Sequence, residues 1–173
     1  MNIYTWTKDW ESVQLELYGE PFLAVDPGKT GAAICCEADG SAGACFSLKG
    51  LEMVELAREM SRMGIKTIIM EDQYVGRNPR TVMLLRLAVG IFLGRLEEKV
   101  GPLDVVFTEP KTWQAVVLPG FKGREALKEA AELLVRQSDS EIPDWTKGKL
   151  EGFWDADCIR EWWKDVSRPE EGE

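Results

Sequence analysis

Histidine is absent from all 173 residues, which removes Ser-His-Asp triads, Cys-His dyads and histidine-ligated zinc from consideration. Cysteine is scarce: Cys35, Cys36, Cys45 and Cys158 contain no C-x-x-C pair, so reduced, buried thiols are expected rather than a zinc site or a disulfide framework. No apolar run approaches the ~20 residues of a membrane span, and the opening MNIYTWTKDWESVQ lacks the basic-then-apolar order of a signal peptide. A cytoplasmic protein with no membrane association is expected. Basic charge is also short, with 21 Lys and Arg against 30 Asp and Glu for a net charge of −9. A hydrolase with this composition must rely on carboxylates and hard metals such as Mg²⁺.

What is present is enough for one folded domain. Hydrophobic residues make up 45% of the chain, and a chain of this length buries roughly two-thirds of its extended surface in a single core. The acid is concentrated at the ends: residues 1–20 and 165–173 each carry one basic and four acidic side chains. We therefore divide the sequence into an N-terminal extension (1–20), a globular domain (21–166) and an acidic tail (167–173). Between Tyr74 and Arg95 lie Arg77, Arg80, Arg86 and Arg95 with no acid, a local basic surface on an acidic protein. The low overall charge predicts modest, salt-sensitive DNA affinity.

The stretch FLAVDPGKTGAAI, from Phe22 to Ile34, organises the rest. Phe22 to Val25 reads as a strand buried on both faces, and it ends on Asp26 before Pro27-Gly28 turn the chain back, so that Gly31 to Cys36 can pair with it antiparallel. A carboxylate at the end of a central strand is costly to desolvate without a cation or donors. Asp26 is thus either a divalent-metal ligand or an Asp that starts a turn. Gly28-Lys29-Thr30 imitates the end of a P-loop, but the glycine required five residues earlier is Leu23, and no nucleotide cofactor is expected.

Ala42 to Leu48 closes a meander. A helix over residues 51–63, with Leu51, Val54, Leu56 or Ala57 and Met60 at helical spacing and Gly64 as C-cap, leads to a buried strand from Thr67 to Met70 that again ends on an acid, Glu71. A right-handed crossover lays that strand parallel to the first. Both acids then meet at the carboxyl edge of the sheet, where open α/β folds place ligands. Arg80 to Val100 reads as a long helix with the stripe Val82, Leu85, Val89, Phe92 and Leu96. Gly90 and Gly94 inside it point to a close helix contact, either across a dimer interface or within the core.

A fifth strand, Val105 to Thr108, precedes PKTWQ, the basic loop Gly120-Phe121-Lys122-Gly123-Arg124, and a helix from Glu125 to Arg136. Among seven tryptophans, Trp113 stands beside that basic loop and is the best candidate for touching a ligand held there, DNA if the resemblance given below holds. On the closing helix, Asp155, Cys158, Ile159, Trp162, Trp163 and Val166 share one face, and Asp157, Arg160, Glu161 and Lys164 share the other, solvated one. Glu151 joins Asp155 if the helix continues back through Gly152. The helical spacing leaves both Glu151 and Asp157 open as a further acid beside Asp155.

These residues resemble the RuvC-type Holliday-junction resolvases of the RNase H superfamily, phage-encoded members in particular. The resemblance rests on FLAVDPGKTG, on IIMEDQYVGRNPRTVMLLRLAVGIFLG, on PKTWQAVVLPGFKGREALKE and on EGFWDADCIREWW, four segments in the family's order across most of residues 22–163. Asp157 departs from the family, which has an apolar residue there, and the N-terminal extension has no counterpart. The resemblance implies an RNase H-like α/β fold: a mixed five-stranded sheet, antiparallel meander plus parallel strands, with helices on both faces. It implies that Asp26, Glu71, Glu151 and Asp155 hold two Mg²⁺ or Mn²⁺ ions and hydrolyse phosphodiesters of four-way DNA junctions to 5′-phosphate ends. Tyr74 matches an aromatic that stacks at the junction crossover. Lys29, Arg77, Arg80, Lys111, Lys122 and Arg124 are expected to contact phosphates, and a homodimer is expected to place two sites on one branched DNA. Rival readings are a related nuclease acting on forks, flaps or RNA-DNA hybrids, and a non-catalytic DNA-binding protein on the same fold.

Overall fold

A computed structural model describes residues 1–5, 17, 19–28, 30–50, 53–72 and 79–167. Six strands form one sheet in the order β1-β6-β5-β2-β3-β4. They are β1 (Asn2–Thr5), β2 (Phe22–Asp26), β3 (Ala32–Cys36), β4 (Ala42–Ser47), β5 (Thr67–Glu71) and β6 (Asp104–Thr108). β2, β3 and β4 are the expected antiparallel meander, and β2, β5, β6 and β1 run parallel. Helices α1 (Met53–Met63) and α2 (Pro79–Val100) connect the parallel strands; α3 (Pro110–Val117), α4 (Arg124–Gln137) and α5 (Lys147–Ser167) follow β6.

The sheet has one strand more than the five read from the sequence. Residues 2–5, within the N-terminal extension, pair with β6, Asn2 opposite Asp104 and Thr5 opposite Phe107. Nothing in NIYT alternates clearly enough to mark a strand, and its pairing partner lies about a hundred residues away. α3 was not read as a helix either.

Strand alternation divides the core. Phe22, Ala24, Ile69 and Val106 face α3, α4 and α5, whereas Leu23, Val25, Ile68, Met70 and Val105 face α1 and α2. The sheet is thus covered on both faces, which is why its central strands are apolar without interruption. Two helical stripes are rotated slightly from expectation. Val54 of α1 is exposed, with Leu56, Ala57 and Met60 turned inward. On α2 the buried line is Val82, Val89, Leu93, Leu96 and Val100, while Leu85 and Phe92 are only half-buried.

The largest correction concerns α5. Asp157 and Arg160, assigned to a solvated face, are both 0% exposed. A helical wheel presumes a helix with one wet side, but α5 lies between the sheet and α3 and α4. Arg160 there donates its Nε–H to Asp157 at 2.7 Å, Nη1–H to the Gly40 carbonyl at 2.7 Å and Nη2–H to Ser140 at 2.9 Å. Ser140 in turn donates to Asp157 at 2.6 Å.

Candidate active site

The alternation that sends Phe22 and Ala24 toward α5 also sends Asp26 there, and Ile69 fixes the same direction for Glu71. β2 and β5 are parallel neighbours, so both carboxylates stand at the same end of the sheet. α5 supplies the third acid. Its first turns pass against the β2–β3 turn, where Gly152 bridges to Gly31. A Cβ on Gly152 would overlap the Thr30 carbonyl oxygen, so glycine is what permits the approach. The helix runs unbroken through this residue, which places Glu151 and Asp155 beside one cavity of about 300 Å³ that Asp26 also lines.

The electrostatics show how closely the acids are gathered. Burial pushes Asp26 up to about 6, while a hydrogen bond at 2.9 Å from the Gly28 N–H to Oδ1 acts in the other direction. Burial, with Asp26 second, pushes Glu71 up to about 8 and Asp155 up to about 7. Among the described residues no ion pair engages Asp26, Glu71 or Asp155. Glu151 differs: it accepts a hydrogen bond at 2.7 Å from the Lys128 ammonium, which holds its carboxyl below the usual range.

The donor set suits a hard divalent cation. All candidates are carboxylate oxygens, Asp26 raises the proton affinity of both Glu71 and Asp155, and the buried Thr108 hydroxyl beside Glu71 in the sheet register has no hydrogen-bond partner among the described residues. In this conformation the described carboxylates do not close into a three-ligand cage.

No protein-family model matches the chain, and no curated protein matches it significantly. Solved structures do. A Thermus thermophilus RuvC structure aligns with a TM-score of 0.51 at 14% identity, over 85% of this chain and 93% of that one. T. thermophilus RuvC in complex with Holliday junction substrate aligns with a TM-score of 0.50 at 14% identity, over 83% and 92%. The fold is RuvC-like.

On this RuvC-like fold the remaining candidates divide into three groups. Lys29, Tyr74 and Arg77 lie outside the described residues. Arg80, Lys111, Lys122 and Arg124 are exposed, and Arg124 reaches the cavity that holds Asp26. Trp113 is corrected. It is 1% exposed, so its ring offers no face for a base to stack on, and its indole N–H donates to Glu71 Oε2 at 2.9 Å.

Lys128 is the residue that sequence reasoning missed. It sits on α4, one turn beyond Arg124, where a lysine in the mixed-charge run REALKEAAE carries no distinguishing signal. Only the packing of α4 against α5 brings it to Glu151.

Proposed function

We propose that the protein is a metal-dependent, structure-selective DNA endonuclease that resolves four-way junctions, leaving 5′-phosphate ends. The observation that carries this reading is the convergence of Asp26, Glu71 and Asp155, from β2, β5 and α5, at the carboxyl edge of a RuvC-like sheet. A solved example of that fold holds a Holliday junction substrate, which supports branched DNA as the ligand class.

In this reading Asp26, Glu71, Asp155 and Glu151 would together hold Mg²⁺ or Mn²⁺, two ions per site. When bound, such ions supply Lewis acidity for in-line attack of water on the phosphodiester and for departure of the 3′ oxygen. The chain's own contribution is to gather Asp26, Glu151 and Asp155 at one cavity, with Glu71 tied to Trp113 at its wall, and to exclude bulk water behind Trp113 and Leu118, both buried there. Arg124 and Lys122, with Arg80 and Lys111 further out, engage phosphates and position the strand without reading sequence. Lys29, Arg77 and Tyr74 join this proposal on their sequence positions alone.

A twofold dimer suits a substrate with two symmetric strands to cut. The exposed side of α2, with Met83, Leu87 and Ile91 around Gly90 and Gly94, supports it: among the described residues nothing lies within 4 Å of where a Cβ on either glycine would stand.

The test is incubation with a synthetic four-way junction, a fork, an RNA-DNA hybrid and a linear duplex, each with and without Mg²⁺. Mg²⁺-dependent symmetric nicking of the junction, lost in Asp26→Asn with junction binding retained, is expected. Undiminished cleavage by Asp26→Asn refutes the site; cleavage of fork or hybrid alone reassigns the substrate. Binding without nicking under any divalent ion leaves a non-catalytic DNA-binding protein.

A further inference from the structure

Trp113 is the largest fully buried side chain to touch a candidate metal ligand. The chain delivers it there by a short route. β6 ends at Thr108, opposite Glu71 in the sheet register, and Asp72 N–H donates to the Thr108 carbonyl at 2.8 Å, which fixes the two strand ends to each other. Pro110 then starts α3 at once, as suits a residue with no N–H to lose in a first helical turn. Three residues on, Trp113 has come round to face the sheet edge that β6 has just left.

Its chemistry there is specific. Indole Nε1–H is a donor and never an acceptor. It engages Glu71 Oε2 at 2.9 Å, and among the described residues Oε1 accepts no hydrogen bond. One carboxylate oxygen is therefore tied to the protein and the other is left open. The donor is also neutral. An arginine or lysine in its place would satisfy the negative charge and compete with a cation, as Lys128 does at Glu151. An indole orients the carboxylate while leaving its charge uncompensated.

We propose that Trp113 is a positioning residue: its indole N–H holds Glu71 Oε2, which limits the swing of the carboxylate and leaves Oε1 available to a divalent ion. The inference rests on the metal-dependent reading given above. Losing an outer hydrogen bond to a metal ligand typically weakens metal affinity or activity by about 10- to 100-fold.

The experiment replaces Trp113 in the full chain in two ways. Trp113→Phe removes the N–H and some volume. Benzothienylalanine, incorporated at position 113, keeps the bicyclic shape and exchanges the N–H for sulfur, so it folds even where the smaller ring leaves a cavity. Mn²⁺ binding is measured by calorimetry on the DNA-free protein. The thermal midpoint is measured without metal, and cleavage of a four-way junction is measured as a function of Mg²⁺. Expected for the benzothienyl variant are Mn²⁺ affinity weaker by about tenfold or more, an almost unchanged metal-free midpoint, and a rise in the half-saturating Mg²⁺ concentration larger than the fall in maximal rate. Wild-type Mn²⁺ affinity in the benzothienyl variant overturns the positioning role and leaves the metal-dependent reading standing. A fall in maximal rate with no change in Mn²⁺ affinity or Mg²⁺ dependence overturns it as well. Failure of the unmodified protein to bind Mn²⁺ at all sinks both.

Discussion

A carboxyl group that is harder to ionise in the folded chain than in the unfolded one ties stability to pH. Asp26, Asp155 and Glu71 move from ordinary values of 3.8, 3.8 and 4.5 to about 6, 7 and 8. Each binds its proton more tightly when folded, so its stabilising contribution is complete below about pH 4 and is lost as pH rises through the folded values. We expect the metal-free protein to melt at least about 5 °C lower at pH 8.5 than at pH 5.5, the size set by about 2 kcal/mol in a domain of this length. Asp26→Asn should flatten that slope, because it removes one of the three charges and lightens the load on the other two. Mg²⁺ should flatten it too, by neutralising the ionised forms. A calorimetric melting series in which the metal-free midpoint rises across this range would contradict the clustering. At the neighbouring position, Lys128→Met frees Glu151 of its cation. Divalent affinity, measured by titration, should then rise severalfold if that lysine competes with an ion for the carboxylate.

α5 is the element on which the site depends most, and two features hold it in place. At its start, Gly152 lets the helix lie against the β2–β3 turn. Gly152→Ala forces helix and turn apart, with an expected cost of about 1–3 kcal/mol. Cleavage should fall far more than stability, since Glu151 and Asp155 move away from Asp26 together; an active Gly152→Ala enzyme with an unchanged melting midpoint would argue against the close approach. In its middle, the Asp157–Arg160 pair is sealed from solvent. Asp157→Ala removes the one fully buried carboxylate on a guanidinium that keeps Glu161 at 2.6 Å and Asp139 at 3.1 Å, and should cost about 1–3 kcal/mol by denaturant titration. That pair also shows where sequence reasoning stopped. Asp155 could be placed on the inner face from a 100° step per residue, and Asp26 and Glu71 from strands that end on acids, because those are local patterns. That α5 is covered on both sides is set by α3 and α4, and α3 is an eight-residue helix with a proline start that looks like a loop in sequence. The same missing helix is why Trp113 read as a surface aromatic.

At the scale of the whole molecule, the meander, the crossover and a central strand buried on both faces were legible from local pattern, and helices on both faces of the sheet from the family resemblance. The pairing of residues 2–5 with β6 was not, since a four-residue edge strand carries too little pattern to separate it from its surroundings. What a single protomer leaves unused is the outer side of α2, where Leu87 is 59% and Ile91 49% exposed. If two copies meet there, Leu87→Glu combined with Ile91→Lys should convert a dimer to a monomer in sedimentation velocity while leaving the circular dichroism spectrum intact. A wild-type chain that sediments as a monomer at tens of micromolar would refute that use of the face. Among the described residues no helix is long and apolar enough to cross a membrane, which accords with the composition.

The tip of the β3–β4 hairpin is clipped to the back of α5, for the Gly40 carbonyl receives the Arg160 guanidinium and the Gly40 backbone, at φ 81°, sits against the Lys164 stem. A hairpin tip of that kind ordinarily exchanges its amide protons within seconds, independently of the rest of a domain. Here it can open only when the helix it grips lifts as well, so the Gly40 turn and the segment around Asp155 should share one deuterium-uptake rate, and slowing one should slow the other.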